Sequence, residues 1–178
     1  MMLERLGIPF VTSSPEVDET PRKGESPQHL VTRLADLKAG VLARENLSAV
    51  IIGSDQLAVC NNRIIGKPGS VENAVLQLRS FSGKTVNFLT AVCVLCRETA
   101  FRHEETVVTE VRFRELSDAE IRRYIATDNP VDCAGSFKSE AAGIGLLRHM
   151  RSEDPTAIVG LPLITVANGL RKAGFAVP

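Results

Sequence analysis

This sequence predicts an α/β fold built on one mixed sheet. Three observations carry that expectation. First, β-branched runs such as Ala49-Val50-Ile51-Ile52 stop at small-residue turns, as buried strands do. Second, capped stretches with apolar residues at helical spacing lie between these runs. Third, strands and helices interleave along the chain, which is the pattern of an α/β or α+β layer structure. With 178 residues, 44% of them apolar, the chain suffices for one domain, 1–178, with a real core.

The elements follow in order. Leu3-Glu4-Arg5-Leu6-Gly7 reads as the last turn of a helix, with Gly7 just past its end. Pro9 to Ser13 reads as a short strand, and Pro15 to Gly24 as a loop carrying Glu16, Asp18 and Glu19. Ser26-Pro27 opens a helix, Ser as N-cap and Pro at the first helical position. Its apolar residues Leu30, Leu34, Leu37, Val41 and Leu42 run to about Arg44. A strand over Ala49–Gly53 follows, then a hairpin of Leu57–Cys60 and Arg63–Ile65 around Asn61-Asn62. Ser70 caps a helix with Val71, Ala74, Val75 and Leu78 on one face. Lys84–Cys96 and Phe101–Arg114 are two long strands of one hairpin, the second alternating in period two. Ser117-Asp118-Ala119-Glu120 is a capping box for a helix to about Thr127. Val131 to Gly145 is a loop rich in Gly, Ala and Ser. A last helix with Leu163, Val166, Ala167 and Leu170 ends near Gly174.

Composition excludes several classes. Lys+Arg and Asp+Glu both number 21, so the basic excess of a nucleic-acid binder is missing. Aromatics are 4% with no Trp, too few for a base-stacking platform. No apolar run approaches the roughly 18 residues of a membrane span. The N-terminal residues lack the apolar centre of a secretory signal. The cysteines are Cys60, Cys93, Cys96 and Cys133. The CxxC spacing of Cys93 and Cys96 falls inside an apolar strand, without a second CxxC or a nearby His, so a zinc knuckle is not expected. Reduced, mostly buried thiols fit a cytoplasmic protein.

The chemistry centres on Gly53-Ser54-Asp55-Gln56, read as a loop directly behind a strand. In open α/β sheets ligands collect at the carboxyl ends of strands. Asp55 is therefore a carboxylate placed where a substrate would sit, although Asp also caps turns after strands. Gly66-Lys67-Pro68 is a rigid turn presenting a lysine. A carboxylate and a lysine on neighbouring loops suit a phosphate ester and a divalent metal. Glu19 could equally be solvated, and Lys38 could serve a plain salt bridge.

Eight short motifs occur in order: Asp18-Glu19-Thr20-Pro21, Arg33-Leu34-Ala35 with Lys38-Ala39, Gly53-Ser54-Asp55-Gln56, Gly66-Lys67-Pro68, Ser82-Gly83-Lys84-Thr85, Leu89-Thr90-Ala91-Val92, Asp132 with Ala134-Gly135-Ser136-Phe137-Lys138-Ser139-Glu140, and Val159-Gly160-Leu161-Pro162. In this order the chain resembles the Maf family of nucleotide pyrophosphatases, from about Leu3 to Phe175. The resemblance implies a two-lobed fold, similar to inosine triphosphatase, with a mixed central sheet flanked by helices and a nucleotide cleft. It implies hydrolysis of a nucleoside triphosphate to the monophosphate and pyrophosphate with a divalent cation, Mg²⁺ or Mn²⁺. Asp55 aligns with the family's catalytic base, and Gln56 and Glu140 with its specificity positions. Ser54-Asp55-Gln56 and Phe137-Lys138-Ser139-Glu140 resemble the branch acting on 7-methyl-GTP. The pyrimidine branch carries Ala-Asp-Thr and Ile-Gln-Gly there.

Elementary chemistry agrees with these roles. Mg²⁺ takes oxygen ligands, and Glu19 and Asp55 are the candidates. Lys38, Lys67 and Lys138 can hold phosphate oxygens as point charges. Glu140 can accept hydrogen bonds from guanine N1–H and the N2 amine. The resemblance further implies a strand and a Ser-x-Ser-Pro-x-Arg-Arg loop ahead of Leu3, and a possible homodimer. Ala141-Ala142 stands where Gly-Leu is usual, which would shift Glu140 if the loop needs a positive φ. Alternative readings are the same hydrolysis of dTTP, UTP or another noncanonical nucleotide, and a nucleotide-binding regulator of cell division that turns nothing over.

Overall fold

Side-chain caps start the first three helices where the sequence places them. The computed structural model describes residues 2–178. Ser26 Oγ accepts the His29 amide at 3.2 Å to open α1, Pro27–Glu45, and Ser70 Oγ accepts the Asn73 amide at 3.2 Å to open α2, Val71–Phe81. Ser117 and Glu120 form the reciprocal capping box of α3, Asp118–Asp128. Each such cap stabilises its helix by about 0.5–2 kcal/mol. Leu3–Leu6 is one 3₁₀ turn closed by Gly7 at φ 68°. Pro9 to Ser13, expected as a strand, has no regular structure.

The strands are β1 (Ile51–Cys60), β2 (Arg63–Ile65), β3 (Thr85–Cys96), β4 (Phe101–Phe113) and β5 (Leu147–Arg151). They lie in the order β2-β1-β3-β4-β5, and every pairing is antiparallel. The sheet expected as mixed is therefore antiparallel, with a physical reason. The Asn61-Asn62 turn, with φ of 49° and 59°, reverses the chain at the end of β1. The crossover through α2 then passes over β1, so β2 and β3 run the same way but never pair.

β1 is longer than the sequence suggests. It is one strand from Ile51 to Cys60, paired with β3 from Ile51↔Leu95 to Val59↔Asn87. Gly53, Ser54 and Asp55 thus sit mid-strand rather than in a loop. Pairing along β3 overrides their weak strand preference.

Alternation along β3 assigns the helices to faces. Ala91, Cys93 and Leu95 pack against Val31, Ala35, Ala39 and Ala43 of α1. On the other face Val92 and Val94 meet Val166 and Leu170 of α4, Leu163–Lys172. Further along that face Val86 and Phe88 join Leu78 and Phe81 of α2 and Ile121 and Tyr124 of α3. The rings of Phe81, Phe113 and Phe137 pack in sequence at 5.5 Å centroid spacings, the first pair tilted and the second edge to face. Burying each such ring stabilises the fold by about 1.5–3 kcal/mol.

Candidate active site

Gly53 decides how closely α1 lies on the sheet. A Cβ there would stand 2.3 Å from the Ala35 carbonyl oxygen and 2.8 Å from the Ala39 Cβ. Only a glycine lets the helix backbone come this near the strand. Two residues on, Asp55 points to the same face, and Lys38 of α1 reaches it. Lys38 Nζ lies 2.5 Å from Asp55 Oδ1 and 2.8 Å from Glu19 Oε1. Glu19 is brought there by Arg33 of α1. The Arg33 guanidinium donates to both carboxylate oxygens of Glu25, at 2.7 and 2.9 Å, and to the Thr20 carbonyl at 3.1 Å. That fork pins the acidic loop to the helix.

The Asp55 side chain is 9% exposed, while Glu19 is 57% exposed. Burial pushes the Asp55 carboxyl above its ordinary value, outweighing the hydrogen bond and charge of Lys38. Burial alone would lower Lys38, but its bonds to Asp55 and Glu19 prevail and hold the ammonium above its ordinary value. The result is a protonated lysine beside a carboxylate more basic than usual, a state suited to accepting a proton.

Ser54, Asp55 and Gln56 form one wall of a cleft of about 260 Å³ that also holds Lys67, Asp132, Cys133 and Glu140. The Lys67 turn is fixed from α2. Asn73 Nδ2 donates to the Pro68 carbonyl at 2.9 Å, and Gln77 Nε2 to the Gly66 carbonyl at 3.2 Å. Ser136 Oγ donates to Gln77 Oε1 at 2.6 Å, joining the Glu140 segment to the same helix. Ala141 has φ −129°, so the Ala pair after Glu140 needs no left-handed backbone.

Lys138 departs from expectation. Its Nζ donates to the Asp128 carbonyl at 2.7 Å and its backbone N–H to the Tyr124 hydroxyl at 2.9 Å, and it does not line the cleft. The carbonyl at the end of α3 has no intrahelical donor, and an adjacent ammonium satisfies it. Of the residues singled out from sequence, Asp55, Gln56, Lys67 and Glu140 share the cleft, and Lys38 and Glu19 adjoin it through Asp55.

A family model described as a Maf-like protein matches residues 1–173. The chain belongs to the Maf family. Relatives named 7-methyl-GTP pyrophosphatase include one from Polaromonas sp., 49% identical over 98% of this chain and 80% of its own length. Another, from Aromatoleum aromaticum, is 49% identical over 100% of this chain and 92% of its own. A third, from Xanthomonas oryzae pv. oryzae, is 48% identical over 99% and 92%.

In this Maf chain Gln56 does more than line the wall. Its Nε2 lies 2.9 Å from Thr90 Oγ1, 2.9 Å from the Ala157 carbonyl and 3.1 Å from the Ile158 carbonyl. Ser54 Oγ lies 2.8 Å from both the Ala91 and Gly160 carbonyls. Both side chains therefore hold the 157–160 turn as the opposite lip of the cleft. The carboxylate of Asp154, 2% exposed, builds that turn from below. It accepts the Thr156 amide at 2.9 Å, the Thr156 hydroxyl at 2.6 Å and the Ile164 amide at 2.7 Å. Sequence reasoning gave Asp154 and Cys133 no role in the site. Asp154 satisfies the first turn of α4 from outside the N-cap position, which Pro162 occupies, so no capping motif marks it.

A divalent cation fits the Glu19–Asp55 pair by its donor set. Two carboxylates converge on one positive nitrogen, and hard oxygen donors suit Mg²⁺ or Mn²⁺. A second grouping, Asp36, Cys93 and Glu104, suits an ion less well. The Arg102 guanidinium stands 2.7 Å from both carboxylates, and burial pushes the Cys93 thiol up to about 12. Cys93 and Cys96 point to opposite faces of β3, so their CxxC spacing cannot close on one metal. Among the described residues no helix is long and apolar enough to cross a membrane.

Proposed function

We propose that this Maf protein hydrolyses 7-methyl-GTP to 7-methyl-GMP and pyrophosphate. The observation that carries the reading is the buried Asp55 carboxylate at the border of a cleft that Lys67 and Glu140 also line, with the Lys67 charge near enough to act on it. The names of relatives at 44–49% identity support the same substrate. In the reaction water adds to the α-phosphorus, the α–β phosphoanhydride bond breaks, and pyrophosphate leaves. Asp55 takes the proton of the attacking water on its carboxylate. Lys67 holds triphosphate oxygens as a point charge. Glu140 accepts hydrogen bonds from N1–H and the N2 amine of the base, and its charge favours the cation that 7-methylation creates. Gln56 keeps the 157–160 lip in place.

Glu19 and Asp55 would hold the divalent cation. When bound, it neutralises charge on the phosphates. The reading puts the protein in the cytoplasm with no nucleic-acid partner. Four free cysteines and the balanced charge support that placement. Changing Glu140→Gln is the test of substrate choice: turnover of 7-methyl-GTP should fall relative to UTP. An unchanged ratio removes Glu140 from recognition of the base.

A further inference from the structure

Lys38 stands where a cation bridging Glu19 and Asp55 would stand. Its ammonium is within 2.8 Å of one carboxylate and 2.5 Å of the other. Two carboxylates this close need a positive charge between them, because one buried carboxylate left unpaired is strongly destabilising. The folded protein must satisfy this requirement whether or not metal is present. We propose that Lys38 is a place-holder: its ammonium and a divalent cation occupy the Glu19–Asp55 site in alternation. Cation entry releases Lys38 from the pair and frees it for the triphosphate oxygens.

Three features of the chain support exchange over permanent pairing. The lysine side chain is four carbons long and 24% exposed, so it has room to leave. Glu19 sits on a loop without regular structure and is more than half exposed, which admits an ion from solvent. Asp55 is fixed in β1 by the ladder to Ala91, so one ligand stays in place while the lysine moves. Lys38 accordingly weakens metal binding in the nucleotide-free protein and couples metal arrival to a free phosphate-binding charge.

The proposal rests on the pyrophosphatase reading only for the purpose of the released lysine. Its test needs no turnover. Mn²⁺ binding to the nucleotide-free full chain is measured by calorimetry for the native protein, Lys38→Met and Lys38→Gln, with circular dichroism to verify folding. Removal of the competing ammonium should tighten Mn²⁺ binding about tenfold, and Mn²⁺ should raise the melting temperature of Lys38→Met more than that of the native chain. Adding Asp55→Asn to Lys38→Met should abolish the gain. Equal or weaker Mn²⁺ binding by both folded variants overturns the proposal and makes Lys38 a fixed partner of the carboxylates. Failure of the pyrophosphatase reading shows separately, as Mn²⁺ binding without release of pyrophosphate from any nucleotide.

Discussion

The Gln56 amide nitrogen donates to the Ala157 carbonyl across 2.9 Å, joining the middle of β1 to the turn that forms the far lip of the cleft. The same nitrogen lies within reach of Ile158, and Ser54 makes the matching link to Gly160. Gln56→Leu removes the donor to the Ile158 carbonyl, while Ala157 keeps the Thr90 hydroxyl and the Gly160 amide. It should cost about 1–3 kcal/mol in urea unfolding. It should raise KM for the nucleotide more than it lowers kcat, because the lip positions the substrate without touching the reacting atoms. A fall in kcat alone would assign Gln56 to the chemical step.

Asp55→Asn keeps the shape of the side chain and removes the proton acceptor. Pyrophosphate release should fall about 10²–10⁴-fold, as for loss of a general base. The circular dichroism spectrum should remain native. A nucleotide-binding protein that never turned its ligand over would show no such difference.

Lys138→Met distinguishes expectation from structure. Its ammonium donates to the Asp128 carbonyl at the end of α3. Stability should fall by about 1.5–3 kcal/mol, the range for a hydrogen bond from a charged group. Steady-state turnover of the folded variant should be unchanged. A large rise in KM would return Lys138 to the substrate.

Gly53→Ala places a methyl group against the Ala35 and Ala39 backbone of α1. The helix must shift outward, at a cost of about 1–3 kcal/mol for overpacking. Lys38 and Asp55 move apart with it. The melting temperature and turnover should therefore fall together, whereas Lys138→Met separates the two.

Acid should release the loop that carries Glu19. Arg33 and the Arg22 amide hold the Glu25 carboxyl down, from 4.5 to about 2. A depressed carboxyl stabilises the fold above its unfolded value, and that contribution is lost as pH falls through the folded one. The difference in melting temperature between the native protein and Glu25→Gln should be constant above about pH 5 and shrink between 4.5 and 2. A difference independent of pH would show that the pair adds nothing through its charge.

Much of this fold is legible in the sequence. Caps at Ser26, Ser70 and Ser117 mark their helices because each supplies a local acceptor for amides that the helix leaves unpaired. The Asn61-Asn62 turn marks its hairpin by the same kind of local chemistry. What the sequence conceals is decided by distant partners. Asp55 was expected in a loop, yet it is a strand residue opposite Ala91, because pairing with β3 outweighs the turn preference of Gly53, Ser54 and Asp55. β5 was not foreseen, since Leu147–Arg151 carries two arginines and a histidine and acquires strand form by pairing with β4. The motifs single out Asp55, Lys67 and Glu140, which line one cleft. Lys138 could not be separated from them, because its direction depends on a carbonyl at the end of another helix. Asp154 escaped notice because its acceptors serve amides spread over Thr156 to Ile164.

The most direct measurement is pyrophosphate release from 7-methyl-GTP, GTP, UTP and dTTP, with Mg²⁺, on the folded chain. The arrangement of Asp55, Lys67 and Glu140 predicts turnover of 7-methyl-GTP above the other three. Preference for UTP or dTTP would contradict the role given to Glu140, and silence on all four would contradict the hydrolytic role given to Asp55.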